Sequence, residues 1–365
     1  MIKNKKKVSI IGTNGLPGRY GGWDQLVNNL TIDLKERFDF IVYTSSYDAV
    51  KGLTSFNDAE LCVIKLKANG VQSIFYDAFS MIHSAFKRYD VLLIMGVSGC
   101  IFLPIIKPFT KKVILNIDGM EWKRGKWSGA AQWFLKVSEK LGVKYADTVI
   151  SDNKVIQDYV LSQYGKHSEL IAYGGDNVVR VPLRAKTSAQ YKVYAKKYAF
   201  KVCRIEPENN LDMILEAFAQ LDYPLVIVGN WNNSIYGVEL RKRYVGYSHL
   251  HLLDPIYEQE LIDELRGNCG LYIHGHSVGG TNPSLVEAMN LCLCCLVYDV
   301  SYNRETTENK AHYFQDAESL RALVCEVSEG AESDVISYGN QMLEIAQRRY
   351  RWCVITESYS KLIDG

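Results

Sequence analysis

The sequence predicts an α/β protein built from two doubly wound, Rossmann-like domains, and three observations carry that reading. Short β-rich runs alternate with longer stretches of helical periodicity along most of the chain. The alternation occurs as two series, separated at "YGGDN". At 365 residues the chain is long for one hydrophobic core and comfortable for two.

In the first series "KVSIIGT", "FDFIVYTS", "LCVIKL", "DVLLIMG", "KVILNIDG" and "DTVISD" read as strands bounded by turn residues. Between them "GGWDQLVNNLTIDLKER", "FYDAFSMIHSAFKR" and "AAQWFLKVSEKLGVKY" place apolar residues every three or four positions, the mark of helices lying on a sheet. The second series repeats the pattern. Its strands are "YAFKVCR", "PLVIVGN", "HLHLLDP", "GLYIHG" and "CLCCLVYD"; its helices are "NLDMILEAFAQL", "YEQELIDELRGN" and "NPSLVEAMNL". Near-continuous apolar strands separated by helices describe parallel sheets covered on both faces. The expected division is residues 1–175, residues 176–345 and a C-terminal helix over 346–365. Gly174 and Gly175 are the expected hinge, because glycine tolerates the φ/ψ change of domain closure.

Composition excludes several classes. With 47% hydrophobic and 23% charged residues and a net charge of +1, the chain is neither disordered nor a nucleic-acid binder by bulk charge. No run approaches the ~20 apolar residues of a membrane span. The opening "MIKNKKKVSIIG" passes from lysines into a strand without a small-residue cleavage site, so a cytoplasmic location is expected. Nine cysteines lack metal-ligand spacing, and the cluster in "LCLCCLVYD" reads as a buried strand. Lys and Arg outnumber Asp and Glu before residue 175, and the balance reverses after it. The basic stretches "FKRY", "KPFTKK" and "WKRGKW" suit an anionic membrane surface, with ordinary solvated faces as the alternative.

Ligands of doubly wound domains bind at the carboxyl ends of strands, where loops expose N–H groups and helix N-termini attract phosphate. "IIGTNGLPGRYGGWDQLVNNL" supplies such a loop but lacks G-x-G-x-x-G, and the following strand ends in "YTSS" without an acidic residue for a ribose. No G-K-[ST] follows either. What remains is a glycine loop carrying Arg19 and a helix starting near Gly22 with Asp24 in its first turn. It suits a diphosphate or sugar pressed against the backbone, or serves the fold alone. "KVCRIEPENNLDMILEAF" puts Arg204 at a strand end, from which a guanidinium makes paired bonds to phosphate. "YIHGHSVGGTNPSLVEAMN" is a second glycine loop entering a helix, with Thr281, Asn282 and Ser284 as donors and Glu287 one turn inside. Its amides suit a diphosphate, and Glu287 suits ribose hydroxyls or is simply a surface carboxylate. His274 and His276 read equally as ligand contacts or buried structural residues.

These blocks, with "NIDGMEWKRGKW", "SDNKVIQDY" and the closing "YRWCVITESYSKLI", resemble the GT-B glycosyltransferases of family 4, within them the bacterial polysaccharide rhamnosyltransferase-like group. The resemblance implies two Rossmann-like domains facing a cleft, with the C-terminal helix crossing back to the first. It implies an acceptor domain first, a nucleotide-sugar domain second, and retaining transfer without a protein nucleophile. The implied reaction moves L-rhamnose from dTDP-rhamnose onto a lipid-diphosphate-linked saccharide of O-antigen or capsule, on the inner face of the cytoplasmic membrane.

Carried onto this chain, the donor would meet Gly21, Gly22, Arg204, Asn209, Gly280, Thr281, Asn282, Ser284 and Glu287. The acceptor would meet Arg19, Trp122, Arg124, Lys126 and Trp127, and Asp118, Glu121 and Arg204 would serve catalysis. Two departures stand out. The family's first glutamate, eight positions before Glu287, is Gly279 here, and its lysine after the arginine is Asn209. The chain has no D-x-D to hold a hard cation on a diphosphate, so neither metal nor cofactor is expected; loop amides and Arg204 would offset the leaving-group charge. A UDP- or GDP-sugar donor, an epimerase using the same pocket and a non-catalytic sugar-nucleotide sensor are the rival readings.

Overall fold

The computed structural model describes residues 5–18, 21–117, 119–123, 127 and 129–365. The chain divides into a first unit of 1–173 with 352–365 and a second of 174–351.

The first unit opens with β1 (Lys6–Ile11), α1 (Gly22–Leu34), β2 (Phe38–Ser45), the short β3 (Ser55–Phe56) and β4 (Ala59–Ile64). It continues through α2 (Gln72–Phe86), β5 (Val91–Met95), α3 (Leu103–Ile106), β6 (Lys112–Asn116) and α4 (Gly129–Tyr145). After β7 (Thr148–Ser151), α5 (Lys154–Tyr164) and β8 (Glu169–Leu170) the chain passes into the second unit. There α6 (Ala185–Tyr191), β9 (Ala199–Val202), α7 (Leu211–Ala219), β10 (Leu225–Val228), α8 (Ile235–Tyr244) and β11 (Leu250–Leu253) come first. They are followed by α9 (Gln259–Gly267), β12 (Leu271–His274), α10 (Pro283–Asn290), β13 (Cys294–Tyr298), α11 (Ser301–Thr306) and β14 (His312–Phe314). Finally α12 (Ala317–Glu329) and α13 (Glu332–Arg349) complete the second unit, and α14 (Trp352–Asp364) returns to the first.

The first sheet runs β3-β4-β2-β1-β5-β6-β7-β8, parallel except for β3 against β4. Val8 stands beside Phe40 and Val91, and Ile10 beside Val42 and Leu93, so one face of the centre is apolar, while on the other the buried Ser9 bonds to Ser84 of α2 at 2.6 Å. The second sheet runs β11-β10-β9-β12-β13-β14, all parallel. The chain leaves β1 toward β2 on one side and returns to β5 on the other, so strand order reverses between β1 and β5. In the second sheet it reverses between β9 and β12. These two switch points are where doubly wound sheets leave room for ligands. They bring residues 12–18 next to 96–99, and 203–210 next to 275–282.

As expected, the C-terminal helix belongs to the first unit. Tyr359 on α14 accepts a buried 2.8 Å bond from Asn116 at the end of β6, and Thr356 donates to Asp33 on α1 at 2.9 Å. Trp352, Ile355, Tyr359 and Ile363 join the core of Val8, Ile10 and Leu30. The helix expected to start at 346 starts at 352. Residues 346–349 are the last turn of α13, which stops where Tyr350 caps it and donates its hydroxyl to the Thr306 carbonyl. The Cys294–Cys295 pair lies buried in β13, and all nine cysteines are free thiols.

Gly175 has a role other than freedom of movement. Its N–H donates to the Tyr350 carbonyl at 2.9 Å, and a Cβ there would fall 2.6 Å from the carbonyl carbon of Val286 on α10. Close packing against α10 demands the glycine.

Candidate functional site

In the second unit the two loops at the switch point are laced together. Asn210 donates its amide to the Gly275 carbonyl at 2.8 Å, and the backbone and side chain of Ser277 both donate to the Glu208 carbonyl, at 2.9 and 3.0 Å. A Cβ on Gly275 would sit 2.4 Å from the Asn209 carbonyl oxygen, so only bare backbone permits this approach. Arg204 projects from the end of β9. Its guanidinium is 45% exposed and lies 3.5 Å from Glu206. Asn209 is buried and spends its amide N–H on the Arg204 carbonyl at 2.9 Å, which closes the turn that carries Arg204. It is a turn-forming residue here, where the sequence suggested a direct donor contact.

The second glycine loop ends at Asn282, the N-cap of α10. Its side-chain oxygen accepts from the Ser284 N–H at 3.0 Å and the Ser284 hydroxyl at 2.8 Å. The Leu285 and Val286 amides go to the Asn282 carbonyl, so the helix satisfies its own first turn. Ser284 is therefore a capping partner. Gly280 and the buried Thr281 precede the cap, in reach of the positive end of the α10 dipole. Gly279 has φ +117°, a conformation that side chains resist. The missing family glutamate is thus matched by a backbone that favours glycine.

Glu287 is neither a surface carboxylate nor open to a ligand at both oxygens. It is buried, paired through one oxygen with Arg266 of α9, and accepts from Asn177 at 3.1 Å through the other. Arg266 in turn meets Asp263 at 3.0 Å, and Asp263 accepts from Gln259 at 2.9 Å and the Val179 N–H at 3.2 Å. Sequence reading missed Arg266. Its signal was its place three residues after Asp263 in "IDELRGN", one helical turn apart.

Beside this network His274 ends β12, buried between the rings of Tyr272 and His276, with neither ring nitrogen hydrogen-bonded. Burial, then Lys201 and His276, holds its pKa well below the ordinary value, so it is a neutral imidazole near pH 7. Such a ring offers one donor and one acceptor.

In the first unit, packing demands much of the glycine loop. A Cβ on Gly12 (φ +86°) would collide with the Met95 carbonyl at 2.0 Å, one on Gly15 with Thr44 at 2.2 Å, and one on Gly18 with Asp24 at 2.6 Å. The buried Asp24 carboxylate accepts from the Asn14 backbone at 3.3 Å and side chain at 3.4 Å, pinning the loop to α1. Gly21, by contrast, has φ +135°, and among the described residues a Cβ there would meet only Asp24 Oδ2, in ordinary contact at 3.9 Å; it and Gly22 start α1. Beside the loop, Tyr76 donates to the Thr13 carbonyl at 3.0 Å. The next residue, Asp77, is buried; Ser98 donates to one of its oxygens while the other has no partner.

The segment after β6 is partly legible. Glu121 accepts the Trp127 indole N–H at 3.0 Å, so these two are joined. Trp122 has the Lys123 and Lys136 ammonium groups over its ring at 5.4 and 4.8 Å. A sugar could stack there only by displacing them. Arg19, Asp118, Arg124 and Lys126 lie outside the described residues. Among the described residues no cluster of three or more His, Cys, Asp or Glu is placed to hold a metal ion.

Residues 5–176 match the family model of a domain of unknown function (DUF1972), and residues 184–334 match that of the glycosyl transferases group 1. No curated protein matches the sequence. Several solved structures are similar over nearly the whole chain. Sucrose-phosphate synthase from Thermosynechococcus elongatus aligns with TM-score 0.82 at 16% identity, covering 98% of each chain. HepE of Anabaena, in complex with UDP and glucose, gives 0.78 at 15% identity over 98% of this chain and 99% of its own. A glycosyltransferase from Rickettsia africae gives 0.75 at 11% identity, over 99% and 98%. The chain has the GT-B fold, and its second unit carries a glycosyl transferases group 1 domain.

Proposed function

We propose that this GT-B chain, with a group 1 glycosyltransferase domain in its second unit, transfers a sugar from a nucleotide diphosphate with retention of anomeric configuration. The observation that carries the reading is the laced pair of loops at the second switch point. They set a half-exposed arginine, Arg204, and a glycine loop before a capped helix at one strand end. Arg204 and the backbone of Gly280 to Asn282 would stabilise the departing diphosphate, the helix dipole adding to their field. Neutral His274 would offer the donor a hydrogen bond, and Glu287, fixed by Arg266, would present what remains of its acceptor capacity to ribose. Of the first unit's residues, Gly21 and Gly22 would meet the donor, Glu121 would serve catalysis and Trp127, bonded to it, the acceptor.

The preferred donor in this proposal is dTDP-rhamnose, which rests on the sequence resemblance. The glycine at 279 suits it by removing a carboxylate from the sugar's surroundings. A UDP-sugar is the second reading, favoured by the likeness to HepE with UDP and glucose. A lipid-diphosphate-linked saccharide is the proposed acceptor.

A thermal-shift screen of nucleotide sugars tests the reading: a donor at about 100 times its Kd raises stability by about 2.7 kcal/mol. Selective stabilisation by dTDP-rhamnose supports the proposed donor; selective stabilisation by a UDP- or GDP-sugar replaces it. No stabilisation by any nucleotide sugar rejects the function itself. Transfer measured in excess chelator should equal transfer with added magnesium, and a rate restored only by magnesium would overturn metal-free transfer. Arg204→Ala should lower turnover about ten- to a hundred-fold, the loss of a charge-assisted phosphate bond of about 1.5–3 kcal/mol. A folded variant with unchanged kinetics would remove Arg204 from the site.

A further inference from the structure

The helices α2, α3 and α4 follow connections that all run the same way along the first sheet, which places them on one of its faces, and α3 packs against both others. Their outer surface is unusually apolar. On α2, Phe75, Phe79, Ile82 and Phe86 recur at the spacing of one helical stripe, and all are exposed, Phe86 to 84%. Ile105 of α3 and Phe109 of the 3₁₀ turn that follows it are each 67% exposed, and Trp133 of α4 is 69% exposed. Isolated surface apolar residues need no explanation, but a contiguous set of large ones marks a surface that meets something.

Charge decides what that partner is. From Trp133 the outer face of α4 continues through Lys136, Lys140 and Lys144, all exposed, and α2 runs out into the exposed Lys87 and Arg88. The three helices contain only two carboxylates, Asp77 and Glu139, and both are buried. At the rim, Asp90 and Asp147 are engaged by Lys111 at 2.6 Å and Lys107 at 2.5 Å. The face is therefore apolar and cationic, with no exposed carboxylate of its own helices to receive those lysines. A second copy of the chain would bring the same lysines to a two-fold contact without acceptors for them.

We infer that the outer face of α2, α3 and α4 docks on an anionic lipid bilayer, the aromatic and aliphatic side chains entering the interface and the lysines of α4 lying over the headgroups. Phe, Trp and Leu-like side chains on one side with lysines beside them are the composition of interfacial binding, and each lysine near an anionic surface strengthens it about five-fold. The inference concerns the first unit alone and stands whichever donor the second unit takes.

The test uses the full chain with sedimented vesicles of phosphatidylcholine, with and without phosphatidylglycerol. Binding is expected to the anionic vesicles at low salt, to weaken at high salt, and to be slight on phosphatidylcholine alone. Lys140→Glu with Lys144→Glu should weaken binding at least 25-fold, since two attractions are reversed at about five-fold each. Phe79→Ser with Phe86→Ser should weaken it ten-fold or more by a route that salt does not mimic. Both double variants should keep the wild-type melting point and nucleotide-sugar thermal shift, which separates lost docking from lost folding or donor binding. No binding to anionic vesicles, or binding unchanged in both variants, overturns the inference. So does a concentration-dependent dimer in vesicle-free solution that Phe79→Ser with Phe86→Ser abolishes, because the face would then belong to a second copy.

Discussion

Arg266→Ala is expected to cost the second unit about 3–5 kcal/mol, the largest effect of any single substitution considered. Arg266 is fully buried between Asp263 and Glu287, and its removal takes from two buried carboxylates the cation that both are paired with. Burial by itself would lower the Arg266 pKa, but Glu287 and Asp263 raise it above the usual value, so the guanidinium stays charged. Denaturant unfolding of the wild type, Arg266→Ala, Glu287→Gln and the double variant forms a cycle. Glu287→Gln should recover part of the loss in the Arg266→Ala background, with a coupling of about 1–3 kcal/mol. A loss under about 1 kcal/mol for Arg266→Ala would show that the pair relaxes into solvent and is not a structural centre. By contrast, Lys154→Ala, which breaks an exposed pair with Asp158, should change stability by less than about 0.5 kcal/mol.

The same network shows what one sequence can and cannot disclose. Glu287 was visible because it lies one turn inside a helix that follows a glycine loop. Its partner was not, because Arg266 is 21 residues away on α9 and an arginine among "EQELIDELRGN" looks like any solvated helix residue. Burial of a charge is a tertiary property, and periodicity only reports which face is apolar.

Glycines divide in the same way. Gly12, Gly15 and Gly18 stand where Met95, Thr44 and Asp24 leave no room for a Cβ, whereas among the described residues a Cβ on Gly21 would meet nothing nearer than Asp24 Oδ2 at 3.9 Å. In the sequence all four look alike. The question of which glycines serve a ligand is therefore answered by the neighbours that each one meets across the sheet.

Element recognition followed signal strength. "FDFIVYTS" is β2 at both ends, β1 starts one residue before "KVSIIGT", and β5, β6, β9, β10, β12 and β13 fall within the apolar runs that predicted them. Between 300 and 345 the sequence suggested no element, yet α11, β14, α12 and α13 lie there. The reason is physical: α13 buries only Gly339, Met342, Ile345 and Ala346 among its 18 residues, and β14 is three residues long. Neither carries a pattern strong enough to stand out before its packing partners are known.

Asp77 is the second buried group with a large expected effect, and its signature is a pH dependence. Burial pushes its carboxyl up to about 7, while hydrogen bonds from Ser98 and the Gly99 N–H act in the opposite direction. The carboxyl sits where α2 meets the turn after β5, and a Cβ on Gly99 would lie 2.3 Å from its own, so the site has no room to hydrate. A carboxyl whose pKa is raised on folding holds a proton in the native state that the unfolded chain has already released. Its contribution is thus intact below the unfolded value near 4 and is lost progressively as pH rises toward 7. The rise from near 4 to about 7 corresponds to about 4 kcal/mol in all, of which about 3 kcal/mol falls between pH 5 and pH 8. Asp77→Asn keeps an oxygen to accept from Ser98 but cannot ionise. Its stability should therefore fall by about 3 kcal/mol less than the wild type's over that interval, measured as the difference between the two denaturant curves, in which every other titrating group cancels. At pH 5 the two proteins should be closer, because the amide places an unpaired N–H where the unpartnered oxygen stood. Parallel pH dependences for wild type and variant would mean that water reaches the Asp77 carboxylate and that the α2–β5 junction opens where the structure has it closed.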